Sequence, residues 1–156
     1  MRSSIRSLTQ VEIIKVHTQD QLQECFSVRV EVFVEEQQVP PELELDEFDA
    51  SPEASKHFLV RDEAGVPIGA ARWRMYNNET AKLQRIAVLK PYRGKGIGRL
   101  IIDAMEKDIQ AEGVPAVILD GQTHAEDFYK KLGYVTISPE PFEEAGIMHV
   151  RMRKEL

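Results

Sequence analysis

Three glycines fall within five residues at Gly94, Gly96 and Gly98, in the run Arg93-Gly94-Lys95-Gly96-Ile97-Gly98-Arg99. An amphipathic pattern follows at once, with Ile97, Leu100, Ile101, Ala104, Met105 and Ile109 on one helical face. Glycine lets a backbone approach a ligand closely. The first N–H groups of a helix lack intrahelical acceptors and lie at the positive end of its dipole. A glycine-rich turn opening into a helix is therefore an anion site, suited to phosphate. Arg93, Lys95 and Arg99 supply charge of the right sign. The spacing excludes two common nucleotide loops. A Walker loop needs Gly, four residues, then Gly-Lys-Ser/Thr, which is absent. A dinucleotide fingerprint needs a third glycine at 99 or 101, counted from Gly94 or Gly96, and those positions hold Arg99 and Ile101.

Several elements must hold this loop. Val11 to Val16 has the β-branched character of a strand, and Thr18 or Asp20 caps a helix running to about Phe33. Pro40 and Pro41 break it, and an acidic loop with short turns follows. His57 to Arg61, Pro67 to Met75 and Thr80 to Val88 form a β-meander, with turns at Glu63 to Val66 and Asn77-Asn78. In the third strand Leu83 shares a face with Arg85, while Ile86 and Val88 have the opposite parity. A strand of period two cannot shift phase smoothly, which predicts a β-bulge near Gln84 and Arg85. Gly113 ends the long helix. Ala116 to Leu119 is a short apolar strand suited to a parallel pair. A short helix from about Ala125 to Leu132 and strands at Tyr134 to Ile137 and Ile147 to Met152 complete the chain. The order predicts an α/β (α+β) fold.

The 156 residues suit one domain, residues 11–156, behind a loose leader at residues 1–10. No apolar run reaches the roughly 20 residues of a membrane helix, and no secretory h-region is seen. The single cysteine, Cys25, excludes a disulfide framework and a Cys-rich zinc site, so no metal is expected and a reducing, cytoplasmic setting fits. Cys25 reads as a buried filler. Charge is uneven. Residues 30–55 contain nine of the 26 acids and no Lys or Arg. Such a stretch is either a solvated loop or a negative lobe that attracts a cation. The remaining charge lacks the concentrated basic face that nucleic acid requires.

The motif Arg93-x-x-Gly96-x-Gly98 after the strand Leu83 to Val88 resembles the acetyl-CoA loop of the GNAT superfamily of N-acetyltransferases. The element order matches over about Val11 to Arg153. Val32-Phe33-Val34-Glu35-Glu36-Gln37-Gln38-Val39-Pro40 and Ala145-Gly146-Ile147-Met148-His149-Val150 are similar to a narrower group of small bacterial enzymes, the YjcF-like and ElaA-like kind. The resemblance implies a mixed, mostly antiparallel sheet with helices on both faces and a splayed parallel pair at the acetyl-CoA site. It implies that the backbone of Gly94, Lys95, Gly96, Ile97 and Gly98 cradles the diphosphate, with Arg93 and Arg99 beside it. Ile86, Ala87 and Val88 would pair with the pantetheine arm, and Phe128 and Tyr129 would flank the sulfur.

Acetyl transfer to an amine needs a neutral nucleophile, a polarised carbonyl and a protonated leaving thiolate. The resemblance places Tyr129 as the general acid. It also places Glu36, Asp46, Glu47 and Asp49 beside the acceptor. Glu36 and Asp46 are the expected bases, with His57, His124 and His149 as alternatives. The backbone N–H near Val88 is a candidate to polarise the carbonyl. The amine can attack directly, so Cys25 is not needed. The expected partners are acetyl-CoA and a small cationic amine, without nucleic acid or membrane, and the family admits a homodimer. Two other functions share the same loop: a non-catalytic CoA sensor, and a protein lysine or amino-terminal acetyltransferase.

Overall fold

A computed structural model describes residues 10–156, so all but the last residue of the expected leader lies outside the described residues. The elements are β1 (Glu12–Lys15), α1 (Gln19–Arg29), α2 (Pro41–Glu44), β2 (Lys56–Arg61), β3 (Pro67–Asn77), β4 (Thr80–Val88), α3 (Ile97–Ala111), β5 (Ala116–Gln122), α4 (Glu126–Lys131), β6 (Val135–Thr136), β7 (Phe142–Glu144) and β8 (Ile147–Glu155). The strands hydrogen bond in the order β1-β2-β3-β4-β5-β8-β6, and β7 pairs with β8. β4 and β5 are parallel. β1–β2, β5–β8, β6–β8 and β7–β8 are antiparallel. This is the mixed, mostly antiparallel sheet with one parallel pair that the resemblance implies. None of the described helices is long and apolar enough to cross a membrane. The chain divides into two compact units. One comprises the described residues up to Arg72 with Arg85–Met105, and the other Trp73–Gln84 with Glu106–Leu156.

In the first unit, Thr18 begins α1 through a capping box: its hydroxyl accepts from the Gln21 N–H, and the Gln21 side chain accepts from the Thr18 N–H. The reciprocal bonds satisfy two orphan donors. The helix buries Leu22, Cys25 and Val28 in a cluster with Val16, Val32, Leu59, Ala70 and Ala87. Each large aliphatic buried there contributes about 1.5–3 kcal/mol. Burial pushes the Cys25 thiol up to about 12, and the thiol donates to the Phe58 carbonyl at 3.5 Å. It is a packed filler, as expected. The helix ends at Arg29, before Phe33, and the chain continues as a π-helical stretch over Val30–Glu36. Val30, Val32 and Val34 crowd this stretch with β-branched side chains, and the Gln37 N–H reaches back to the Val32 carbonyl at 3.1 Å.

The acidic segment is only partly solvated: Glu31, Glu35, Glu36, Glu42, Glu47 and Glu53 are exposed, but Glu44 and Asp49 are buried. α2 and a 3₁₀ turn at Glu47–Asp49 place Glu44 and Asp49 in the interior, 3% and 7% exposed. Arg29 donates to Glu44 Oε2 at 2.7 Å and to both Asp49 oxygens at 2.7 and 2.9 Å. Arg72 donates to Asp49 Oδ1 at 2.8 Å and to both Asp46 oxygens at 2.8 and 2.7 Å. Burial disfavours ionisation of both buried acids. At Asp49, Arg29 and Arg72 outweigh it and hold the carboxyl well below the carboxylate range. At Glu44 burial wins and the carboxyl is raised. The arginines come from α1 and β3, distant in sequence, so composition alone suggested a free negative lobe where the fold builds a neutralised core.

In the second unit the β5–β8 ladder runs from Ala116↔Glu155 to Gln122↔His149. Both strands extend three residues beyond the sequence prediction. Polar Asp120, Gln122, Arg153 and Glu155 concealed the length, because the ladder satisfies their backbones whatever their side chains. β6 is shorter than expected. The hairpin β7–β8 was not anticipated. Its two turn residues, Ala145 (φ 53°) and Gly146 (φ 80°), both adopt left-handed conformations, as a type I′ turn requires. The Tyr134 hydroxyl donates to Glu106 of α3 at 2.7 Å, and Trp73 Nε1–H donates to Asp108 at 2.9 Å.

Asp49→Asn should destabilise the fold by about 3–5 kcal/mol at pH 7, because two buried guanidinium groups lose their anion. A carboxyl held low in the folded state stabilises above the unfolded pKa of about 4, and that contribution fades as pH falls. Urea unfolding should therefore show the gap between the variant and the parent narrowing below about pH 4.

Candidate active site

Two chain segments, each within one unit, carry the residues singled out above. The first runs from the end of β4 into α3. Arg85 has φ 58°, the left-handed region, inside an otherwise extended strand. This is the predicted interruption. Beyond it Ala87 turns into the core, while Ile86 and Val88 remain half-buried. The Arg85 side chain donates to the carbonyls of Glu44 at 3.2 Å and Leu43 at 3.4 Å, and to Asp46 at 3.4 Å. A residue that deforms the strand thus also fastens the acidic segment.

After Val88 a 3₁₀ turn at Lys90–Tyr92 leads into the glycines. Gly94 and Gly96 have φ 78° and 81°, and a Cβ built on either meets no atom within 4 Å. The left-handed backbone favours glycine, and the space before both α-carbons is open, as a cradle for a ligand must be. The Leu100 N–H donates to the Gly96 carbonyl at 3.1 Å, closing the first turn of α3. The N–H groups of Ile97, Gly98 and Arg99 belong to that turn and have no intrahelical acceptor. Lys95 lies over the Tyr92 ring at 5.6 Å. Arg99 is highly exposed and 3.9 Å from Asp103. Both can offer charge to an anion at the helix start. Arg93 is differently employed. Its Nε–H donates to the Val88 carbonyl at 2.8 Å, and its two terminal nitrogens grip Glu36 at 2.6 and 2.7 Å. The structure therefore joins a predicted phosphate ligand to a predicted base. The bonds from Arg93 hold the Glu36 carboxyl below its ordinary range. Asp46 is likewise engaged: it caps the 3₁₀ turn by accepting from the Phe48 N–H and receives Arg72 and Arg85.

The second segment is the end of β5 with α4. The parallel ladder has four register pairs, from Thr80↔Ala116 to Leu83↔Leu119. β5 continues to Gln122, held by β8 on its other side. Tyr129 is 9% exposed and packs edge-on to Phe128 and Tyr134, with ring centroids at 5.1 and 6.2 Å. Burial alone pushes its phenol up to about 12. No protein group among the described residues hydrogen bonds to this hydroxyl. It is a protonated donor with its hydrogen uncommitted. Phe128 is 38% exposed. The Tyr129 ring lies against Gly121, where an added Cβ would stand 2.9 Å from Cε2. A glycine inside a strand marks such close approach, but Gly121 lies beyond Leu119, where the sequence places the strand's end. The roles of Arg29, Arg72 and Arg85 were not legible either, since their partners lie 15 to 42 residues away.

The other histidines are accounted for. His57 is buried, with Nε2 3.0 Å from both the Ser55 hydroxyl and the Phe48 carbonyl, and burial lowers its pKa. His124 is exposed and bonds to Gln122 Oε1 at 2.6 Å. Asp120 sits between Arg151, at 2.8 and 3.0 Å, and Lys82, at 3.1 Å. Among the described residues no three His, Cys, Asp or Glu side chains are grouped to hold a metal ion.

Gly121→Ala should force the Tyr129 ring from its seat and lower stability by about 1–3 kcal/mol, measured by chemical denaturation. An unchanged midpoint would mean that the ring has room to yield.

The model of one protein family, described as an acetyltransferase (GNAT) domain, matches residues 13–156. The uncharacterized N-acetyltransferase YjcF of Bacillus subtilis is 45% identical over 137 residues, covering 88% of this chain and 94% of that protein. Among solved structures, ElaA of Escherichia coli is similar with a TM-score of 0.79 at 24% identity, over 94% of this chain and 99% of that one. An acyl-CoA N-acyltransferase from Pseudomonas aeruginosa is similar with a TM-score of 0.77 at 22% identity, over 93% of this chain and 98% of that one.

Proposed function

The chain belongs to the GNAT acetyltransferase family and is an acyltransferase, and on that premise we propose that it moves the acetyl group of acetyl-CoA directly to the primary amine of a small cationic acceptor in the cytoplasm. The observation that carries this reading is the loop at the start of α3. Two left-handed glycines there leave open space beside first-turn N–H groups, with Lys95 and Arg99 adjacent. Such a site suits a diphosphate. In this reading Gly94 to Gly98 hold the diphosphate, Ile86 to Val88 take the pantetheine arm, and Phe128 flanks the sulfur.

The amine gives up its proton and attacks the thioester carbon, forming a tetrahedral adduct. The Val88 N–H is assigned to the developing oxyanion, a donor role that lowers the barrier by electrostatic preorganisation. Collapse of the adduct breaks the C–S bond, and the thiolate takes the phenolic proton of Tyr129. The products are the N-acetyl amine and CoA thiol, and solvent reprotonates the phenolate. No acyl-enzyme is involved, in keeping with a Cys25 thiol that is buried and firmly protonated. Glu31, Glu35, Glu42, Glu47 and Glu53 are exposed and supply the negative field that favours a cation. Glu36 and Asp46, the expected bases, each accept from arginine side chains.

A thiol-release assay with acetyl-CoA and a panel of spermidine, glucosamine and lysine tests the proposal. Turnover with at least one amine is expected, and release with none would count against an amine transferase. Tyr129→Phe should lower turnover by about 10²-fold while acetyl-CoA affinity holds. Turnover equal to that of the parent would remove Tyr129 from the acid role.

A further inference from the structure

Glu36 is gripped through both oxygens by Arg93, and Asp46 receives Arg72 and Arg85, so both expected bases are tied up in ion pairs. The end of β5 supplies a different group. His149 lies on β8 opposite Gln122, the last residue of β5. Its ring is 7% exposed and stacks on Phe142 of β7, with centroids 6.1 Å apart and planes 22° from parallel. Nδ1 is 2.7 Å from the Ile147 carbonyl. A carbonyl only accepts, so Nδ1 carries a hydrogen and donates. In the neutral ring the lone pair is then on Nε2.

Nε2 has no hydrogen bond to protein among the described residues. No polar side-chain atom there is buried without a partner, so Nε2 reaches solvent. The imidazole is thus fixed in orientation and tautomer by two contacts, with its basic nitrogen open. None of the other described histidines combines these features: His57 has Nε2 engaged, and His17 and His124 are exposed.

Position gives this geometry a use. Side chains on a strand alternate between faces, and directly opposed residues of neighbouring strands share one. Gly121 and its partner Val150 therefore point to one face, where Tyr129 packs on Gly121. Gln122 and His149 point to the other. The proposed acid and the open imidazole nitrogen flank the same strand end from opposite faces. In the attack of an amine on a thioester, nucleophile and leaving sulfur occupy different sides of the tetrahedral carbon, so a base and an acid are wanted on different sides too. The charged groups near His149 are Arg151, two residues on and bound to Asp120, Glu143 of β7, paired with Met148, and His124, through Gln122.

We propose that His149 is the general base, with Nε2 removing the proton of the acceptor ammonium as the amine attacks. This rests on the transfer reading above. One proton passes from the ammonium to Nε2 and frees the lone pair that forms the N–C bond, the adduct's nitrogen releases its second proton to solvent as the C–S bond breaks, and the imidazolium later returns its proton to solvent. No further reactant is needed.

The experiment measures thiol release by the full chain with acetyl-CoA and the amines spermidine, glucosamine and lysine, alongside calorimetric affinity for acetyl-CoA. His149→Ala should lose about 10²-fold in kcat/KM for whichever amine the parent accepts. It should keep the parent's affinity for acetyl-CoA, and added imidazole should restore part of the activity. His149→Gln retains an N–H donor for the Ile147 carbonyl but has no basic nitrogen. It should show the same loss with an unchanged unfolding midpoint, which separates chemistry from folding. Parental activity in either variant, or a loss in His149→Ala that imidazole does not restore, overturns the assignment and leaves the transfer reading standing. A parent that releases thiol with no amine overturns both.

Discussion

Arg85 holds a left-handed backbone in the middle of a strand, φ 58° at a residue with a full side chain. Such a conformation costs on the order of 1 kcal/mol or more and persists only where the surroundings over-determine it. Here the surroundings are the Leu43 and Glu44 carbonyls and the Asp46 carboxylate, all receiving its guanidinium. The deformation falls just before Ile86, Ala87 and Val88, the residues proposed to take the pantetheine arm. Beyond it Ala87 packs in the core beside α1, and Ile86 and Val88 are half-buried. The chain then delivers Gly94 and Gly96 to the start of α3.

The deformation is held by charges that have been withdrawn from water. Arg29, Arg72 and Arg85 meet Glu44, Asp46 and Asp49 in one connected set, and the opposing charges balance. Desolvating such ions is expensive, and a buried pair is weak evidence of net stability against an apolar alternative. What the set gives is geometry. Two-pronged guanidinium contacts fix planes as well as distances, so the segment after Pro41 keeps one position relative to the end of β4. The opposing shifts of Asp49 and Glu44 show the balance within the set: Arg29 and Arg72 outweigh burial at Asp49, and burial outweighs Arg29 and Arg85 at Glu44.

Local signals in the sequence were informative, and long-range ones were not. Glycines beside an amphipathic run marked the anion loop, because turn conformation and helix dipole are properties of neighbouring residues. The phase slip between Leu83 and Ile86 marked the deformed strand for the same reason. The Ala145-Gly146 turn was equally local, yet the polar residues around it hid the hairpin. By contrast, nine acids without a base among residues 30–55 suggested a lobe open to solvent. Three of them are neutralised by arginines from α1, β3 and β4, and no local pattern records that pairing. Glu36 had the residue type of a base but not its freedom, since Arg93 holds it 57 residues away in sequence. His149 was one histidine among four until its Nδ1 found the Ile147 carbonyl.

The central claim is that the amides opening α3 bind the diphosphate of coenzyme A. Titration calorimetry with acetyl-CoA on the parent and on Gly96→Trp tests it most directly. A saturable, one-to-one heat in the parent that vanishes in the variant, with ATP and NAD giving none in either, is the predicted result. No heat from acetyl-CoA in the parent, or equal binding in a variant that fills the space before Gly96, would contradict it.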